Sequence, residues 1–504
     1  MPRSGGTQDG IDAKPGKREI EAQLKRLLES ARFVNSPSQA ATLEVIVGGY
    51  LEENGLSDKA IGGKAFPGFI AGRSTDVRVG VFNLRKTLKE YYEQDGRNDS
   101  VIIGIRKGRK YQIVASYNPK SKAVVHYQNA LEAMSDAACF PWHISDALAN
   151  CQLAIESDPE FTAAYGLLAE FCLCFGIVRL GEINEYGLDA PPHGGLEREI
   201  YLALRCAIKA VRMDRKCWRG YVAFGIILCL IKRWKNGARM FSRAEKVAPE
   251  EIRGDPWYLV YLVAVGRDSE ALSVVDDRLA SCSPRSFWKV VGSLVCYVLG
   301  AKGRDIELSG REMEFTYSAI AVIGLNFLEN QRANDAANIF RWLFDNRKLS
   351  GEFNPIGSMG LWGLFEGLAG NAETTKEIID WLHLPPGVIE KRRPFRDVPY
   401  PSLIRSELTY QFGMRFLFEG DETVLGERWL RDPWEVALAH LGLGQTQKAM
   451  RYLRLCILSQ HPMCLWLHRW PFLANLHRDG GFIDLVRDMR LPAEALPGTL
   501  NAIG

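Results

Sequence analysis

The feature that most constrains this chain is a step of 34 residues. Ala203, Gly237 and Ala271 follow one another at that interval, and so do Ala207, Phe241 and Val275. A period of this length accommodates two helices and their turns, and a unit so small cannot bury its apolar face alone. Neighbouring units must cover one another, which predicts a stacked helical array. The flanking residues agree. Tyr221, Phe224, Gly225 and Leu228 fit a first helix, and Gly237, Phe241, Ala244 and Pro249 a second. Earlier, Ala147, Cys151, Ala154 and Pro159 precede Tyr165, Leu168, Ala169 and Cys172 in the same order. Later, Ile323-Gly324, Phe327, Ala336, Phe340 and Leu343 repeat it, and Ala449, Leu453 and Cys456 do so weakly. Small residues let paired helices approach, and large ones fill the groove between them.

Ahead of this array the periods differ. From Lys17 to Phe33, Ile20, Leu24, Leu27 and Leu28 fall at helical spacing among charged residues, predicting an amphipathic helix. A second helix is expected from about Ser36 to Glu53, with Ser36 as N-cap, Pro37 at the first helical position and Asn54-Gly55 as the stop. Ser57 can cap a short helix from Asp58 to Phe66, after which Pro67, Gly68 and Gly72 break the pattern. From Thr75 to Tyr92, Val77, Val81, Leu84, Leu88 and Tyr91 form one stripe to be buried. Arg78, Phe82, Arg85 and Lys89 step the same way about a quarter turn round the axis, and Lys86 widens that basic side. The period then becomes two. Val101 to Ile105 and Tyr111 to Val114 are β-type runs joined by Arg106-Lys107-Gly108-Arg109-Lys110, a hairpin with a glycine turn and a cationic tip.

A short helix, a turn, a longer cationic helix and a basic hairpin make a winged helix-turn-helix, in which the long helix enters a major groove and the hairpin touches adjacent backbone. From Arg73 to Tyr111 ten Lys and Arg stand against five acids, a net +5, whereas all 504 residues together carry only +3. Arg78, Arg85 and Lys86 are candidates for base-edge or phosphate contact, because guanidinium reads guanine in bidentate fashion. Arg106, Lys107, Arg109 and Lys110 suit phosphates, which position a domain without specifying sequence. Phe82 suits a thymine methyl or packing on a neighbouring helix, and Arg73, Thr75 and Lys89 complete the candidate DNA-binding set.

At these residues a family resemblance emerges. Thr75-Asp-Val-Arg-Val, then Asn83-Leu-Arg-Lys-Thr-Leu and a hairpin ending in Gly-Arg-Lys-Tyr111, resembles the winged-helix effector domains of the OmpR and ToxR/CadC type. Leu27 to Val114 is more closely similar to the winged-helix module that precedes tetratricopeptide arrays in many bacterial regulators. Ile61-Gly62, Ala65-Phe66-Pro67, Val77-Arg78-Val79, Leu84-Arg85, Tyr91-Tyr92 and the hairpin match that module in order. The 34-residue period is the tetratricopeptide signature, and the array resemblance covers much of Ala123 to Pro492. Such a superhelix offers a concave face to a protein, a peptide or a small effector; a spacer or dimerisation element is the alternative use.

A search for chemistry yields little. Gly62-Gly63-Lys64 is followed by Ala65, which has no hydroxyl for magnesium, and Gly357-Ser358-Met359-Gly360 lacks nucleophile-elbow spacing. Cys172 and Cys174 point to different sides of a helix. If Pro462 to Arg469 is helical, His461, Cys464 and His468 share one face and are suitable zinc ligand types, but no fourth ligand is evident and the neighbouring Trp466 and Trp470 suit packing. No metal, cofactor or enzymatic activity is expected. The eleven cysteines, many within apolar helical patterns, suggest a reducing compartment. Met1 to Lys17 carries no apolar signal core, and Tyr221 to Ile231 and Phe315 to Leu328 are shorter than the ~18 to 20 residues a membrane crossing needs. A cytoplasmic protein is expected, without membrane association. The Pro-rich stretch Leu384 to Ser402, with Lys391-Arg392-Arg393, reads as a long connection.

The sequence thus predicts a mainly α protein: a disordered tail over 1–16, a winged helix-turn-helix with a small β-hairpin over 17–117, a TPR-like α-solenoid over 123–492 and a C-terminal tail over 493–504. The expected function is DNA-binding transcription regulation, with double-stranded DNA and a protein or peptide as partners. Tandem half-sites would suit a homodimer. The alternative is a cytoplasmic scaffold or adaptor whose winged helix makes protein contacts instead.

Overall fold

A computed structural model of the chain describes residues 14–52, 58–65, 74–106, 111–136, 141–182, 195–279 and 445–496, with scattered residues between 291 and 441. The described chain is mainly helical, with one small antiparallel sheet. It divides into two compact units. The first comprises Met1–Glu132, Ala147–Leu168 and Cys206–Gly220; the second comprises Ala133–Asp146, Ala169–Arg205 and Tyr221–Gly504. The expected repeat at Ile323 to Leu343 and the connection Leu384 to Ser402 lie outside the described residues.

The first unit opens with α1 (Lys17–Glu29), α2 (Ala31–Val34) and α3 (Pro37–Leu51). The single helix expected from Lys17 to Phe33 is interrupted, and the cause is local. The Ser30 hydroxyl donates to the Leu27 carbonyl at 2.6 Å, competing with the helical backbone, and Ser30 itself adopts extended angles. Proline at the first position of α3 pre-sets the helical φ, whereas the Ser36 side chain makes no capping bond. Two further helices, α4 (Asp58–Ala65) and α5 (Ser74–Glu93), precede β1 (Val101–Ile105) and β2 (Ile113–Tyr117). The strands pair from Val101 opposite Tyr117 to Ile105 opposite Ile113, and Val101, Ile103 and Ile105 face inward. Phe33, Leu43, Ile46, Ile61, Val81 and Ile103 are among the side chains that close one continuous core. Pro15 and Gly16, at the end of the expected tail, are buried, and the Gly16 amide donates to Glu19 Oε2 at 2.7 Å, capping α1.

Four helices follow: α6 (Lys122–Asp136), α7 (Pro141–Ser157), α8 (Thr162–Glu182) and α9 (Gly195–Met213). The α7–α8 turn belongs to the first unit and meets α1 and the hairpin through buried polar groups. Glu19 accepts from the Thr162 amide at 3.0 Å and from the Tyr117 hydroxyl at 3.2 Å. Asp158 accepts from Arg26 Nη2 at 2.6 Å and from the Ser100 hydroxyl. Phe161, fully buried, meets the Tyr117 and Tyr127 rings edge-on.

The second unit contains most of α10 (Trp218–Leu230), then α11 (Trp234–Val247), α12 (Pro249–Arg253), α13 (Pro256–Ala264) and α14 (Asp268–Leu279). The 34-residue steps fall on α9, α11 and α14, and all six residues are buried. Two glycines set the distance between α10 and α11. A Cβ on Gly237 would lie 2.6 Å from Cys229 Sγ and 3.0 Å from the Gly225 carbonyl oxygen, so the backbones approach too closely for a larger residue. Phe241 stacks on Tyr261 with centroids 3.9 Å apart, and Asp255 caps α13 by accepting from the Trp257 and Tyr258 amides.

The C-terminal elements, α15 (Thr446–Leu458), two 3₁₀ segments (Pro462–Trp466 and Pro471–Arg478) and α16 (Gly480–Asp488), also lie in the second unit. The Trp466 indole donates to the Val260 carbonyl at 2.8 Å, and the Trp234 indole to the Met489 carbonyl at 2.8 Å. These two bonds join residues 206 and 255 positions apart in the sequence. Ala493–Ala495, expected to lie in a tail, form a 3₁₀ turn with Ala495 fully buried.

The α10–α11 approach and the burial of Glu19 both bear on stability. Gly237→Ala should destabilise the protein by about 1 to 3 kcal/mol in chemical unfolding, because the strain meets backbone as well as a side chain. The second concerns Glu19, whose carboxyl burial pushes up to about 8, against the lowering effect of its hydrogen bonds from Gly16, Thr162 and Tyr117. Its folded pKa therefore exceeds its unfolded value, the folded state binds the extra proton, and its contribution is present below about pH 4.5 and lost as pH rises through about 8. Thermal melts should fall between pH 5 and pH 8, by at most about 1.4 kcal/mol per pH unit from this group. Glu19→Gln should flatten that slope; an unchanged slope would refute the assignment.

Candidate nucleic-acid interface

Helix α5 has two sides, and its sequence dictates both. Val77, Val81, Leu84, Leu88 and Tyr91 are all buried in the core, as their spacing predicts. The opposite face is solvent-exposed and carries Arg78, Val79, Phe82, Asn83, Lys86 and Lys89. Phe82 is 66% exposed, so no helix among the described residues covers it. Arg106, just past β1, is also exposed. Of the remaining sequence-predicted residues, Arg73, Lys107, Arg109 and Lys110 and the Thr75 side chain lie outside the described residues.

Arg85 occupies a different position from the other cations. It is half-buried, with Nε donating to the Ile105 carbonyl at 3.1 Å and Nη2 to the Arg106 carbonyl at 2.8 Å. The guanidinium fork therefore holds the hairpin against α5, and its first role is to position the other groups. The same carbonyl register is maintained by the Arg106 amide, which donates to Gln112 at 2.8 Å across the hairpin.

The far end of α5 is fixed by a second polar set. Tyr91 donates to Asp99 at 2.7 Å, Tyr92 accepts from the Ile103 amide at 2.8 Å, and the buried Gln23 donates to Asp99 at 2.7 Å. Burial, reinforced by Asp99, holds the Tyr91 phenol well above its usual pKa, so it stays a neutral donor. Arg32 grips the same end through Glu90 at 3.1 Å and Asp95 at 2.8 Å.

Charge is graded along the exposed face. Lys86 lies 3.9 Å from Glu90 and Lys89 3.7 Å from Glu93, exposed pairs worth little in stability but enough to offset charge toward the helix end. Arg78, Phe82 and Asn83 occupy the N-terminal half, the half from which recognition helices contact base edges. Asn83 carries no charge and so falls outside a pattern of cations alone. Its amide can pair with adenine in bidentate fashion, and its signal was its place on the polar side opposite Val81 and Leu84.

The His461, Cys464 and His468 cluster does not assemble. Pro462–Trp466 is a 3₁₀ segment, not an α-helix, so the spacing that would align them is lost. His461 Nδ1 instead accepts from the Met463 amide at 3.2 Å. His468 is fully buried, and burial lowers its pKa to about 3, with Arg469 and His477 adding to the shift. Among the described residues no group of three or more His, Cys, Asp or Glu is placed to hold a metal ion. Cys151, Cys172, Cys206, Cys229, Cys456 and Cys464 are buried without disulfides. No helix among the described residues is long and apolar enough to cross a membrane.

No family model matches this sequence, and a search of curated proteins returns no relative.

The Arg85 assignment gives a direct expectation. Arg85→Lys keeps the charge but loses the two-carbonyl fork, so hydrogen exchange across 101–117 should quicken about fivefold, corresponding to about 1 kcal/mol of local opening. Lys86→Ala should leave that exchange unchanged. Equal protection in wild type and Arg85→Lys would show that the guanidinium does not hold the hairpin.

Proposed function

We propose that this protein is a DNA-binding transcription regulator in which α5 and the β1–β2 hairpin form a winged helix-turn-helix and the helices from α6 onward form a TPR-like array that receives a protein, peptide or small effector. The observation that carries the reading is the two-sided α5: its apolar stripe is buried, its outer face bears Arg78, Phe82, Asn83 and Lys86, and Arg85 braces the hairpin beside it. Arg78 and Asn83 are then base-edge readers, Phe82 meets a thymine methyl, and Lys86, Lys89 and Arg106 meet phosphates. The array half of the reading is supported by burial of all six 34-residue step positions and by the close approach of α10 and α11 at Gly225 and Gly237. Such a regulator would act in the cytoplasm without a catalytic step, and a homodimer would suit paired half-sites.

A specific observation favours a second reading. Val79 is 54% exposed beside Phe82, and exposed apolar side chains at the centre of a helix face also suit a protein partner. In that case the unit serves an adaptor.

Duplex DNA binding by the full chain separates the two. With a mixed-sequence duplex pool in fluorescence anisotropy, affinity should fall by about a hundredfold between 50 and 200 mM salt, as expected for about four phosphate contacts. Arg78→Ala with Lys86→Ala should weaken binding by about tenfold or more. Absence of binding at low salt, or affinity indifferent to both substitutions, would reject the regulator reading.

A further inference from the structure

On the β2 side of the hairpin the first unit contains a half-open cleft of about 820 Å³ that α5 does not use. Its walls come from distant stretches: the start of α1, the end of α3, Tyr111 to Ile113 of the hairpin, and the turn after α9. Six cations line it, namely Lys14, Lys17, Arg18, Arg212, Arg215 and Lys216, against the acids Glu21 and Asp214. Lys17 and Arg18 have carboxylate partners, Glu21 at 3.8 Å and Glu160 at 2.9 Å. Lys14, Arg212 and Arg215 make no ion pair among the described residues. Arg212 complements the C-terminal dipole of α9, but Arg215 and Lys216 stand beyond the last turn, where that effect has faded. Like charges crowded around a concavity raise its potential and concentrate anions there.

The remaining lining is apolar and aromatic. Ile20, Leu51, Met213 and Ile113 line the cleft, Tyr111 is buried, and Tyr50 is 37% exposed at the end of α3. Pockets of 300 to 1,000 Å³ with apolar walls and a few convergent charges are of small-ligand size. We propose that this cleft binds a phosphorylated small molecule bearing a planar ring, with its phosphates on Arg212, Arg215 and Lys14 and its ring against Tyr50. Guanidinium matches phosphate oxygens bidentately, and a tyrosine ring offers a stacking face. This names the effector's class within the proposed regulator, on whose reading it rests, and places its site between the α9–α10 turn and the hairpin. Because ligand binding is measured without DNA, its failure and the failure of the regulator reading are distinct results.

The test is calorimetric titration of the full chain with metal-free ATP and, separately, with pyrophosphate. Both should bind saturably with one site per chain. Arg212→Gln with Arg215→Gln should weaken both by about tenfold or more, while Tyr50→Ala should weaken ATP alone. Both arginines are exposed, so the double variant should melt with the wild type, and Lys14→Gln provides a second charge removal that leaves α9 intact. Absence of saturable binding by either probe to millimolar concentration, or binding indifferent to Arg212 and Arg215, overturns the proposal. Phosphodiester backbone shares the same chemistry. If the double variant loses duplex affinity while neither probe binds the wild type, the cleft belongs to the DNA path and the small-molecule proposal fails.

Discussion

Two buried carboxylates hold the first unit together. Glu19 and Asp158 each collect donors from segments more than a hundred residues apart: Glu19 from Gly16, Tyr117 and Thr162, Asp158 from Arg26, Ser100 and Glu160. A buried carboxyl without partners would be strongly destabilising, so these donors are required wherever the acids are buried. That requirement fixes geometry as well as energy. An apolar contact tolerates sliding, whereas a carboxyl with three donors does not. The α7–α8 turn is therefore registered against α1 and against both strands of the hairpin, and the hairpin in turn is registered against α5 by Arg85. A chain of directional bonds runs from a turn between array helices to the carbonyls beside the exposed face of α5.

The two acids differ in their partners. Asp158 is joined to a guanidinium, an arrangement in which loss of one partner leaves the other charge exposed to the low-dielectric interior. Glu19 has no cation among its hydrogen-bond partners, and burial outweighs its three donors and raises its pKa to about 8. Below that pH the neutral carboxyl is the better fit, and the Gly16 and Thr162 amides still find acceptors on its oxygens. The joint thus contains one acid paired with a guanidinium and one buried carboxyl that titrates close to neutrality.

The sequence is most informative where periodicity is strong and least where residues far apart in the chain converge. The α5 stripe from Val77 to Tyr91, the alternation of Val101, Ile103 and Ile105 and the 34-residue steps all coincide with burial, because local pattern and tertiary demand agree there. The break at Ser30 escaped a reading by apolar spacing, since it depends on one hydroxyl reaching back to Leu27. Glu19 and Gln23 lie off the apolar stripe of α1, yet both are buried, because their partners, Thr162, Tyr92 and Asp99, come from elsewhere in the chain. Arg85 matched the step of the cationic flank, but a helical wheel cannot show that the nearest acceptors are the carbonyls of Ile105 and Arg106. The pairing of Trp234 with Met489 is likewise invisible to a nearest-neighbour repeat pattern.

The same convergence bears on how a ligand in the cleft would act. Its walls and the carboxylate joint share α1: Gly16, Lys17 and Ile20 face the cleft, and Glu19, between them in sequence, receives the Tyr117 hydroxyl from β2. Asp214, in the cleft lining, also raises the Glu19 pKa through its charge. An anion held by Arg212 and Arg215 would add negative potential beside Glu19 and Asp214 and favour their protonated forms, linking occupancy to the state of the joint. Coupling of that kind requires no wire across the molecule. It needs only that the ligand and the proton meet the same short helix, whose far side supports the hairpin that Arg85 holds against α5.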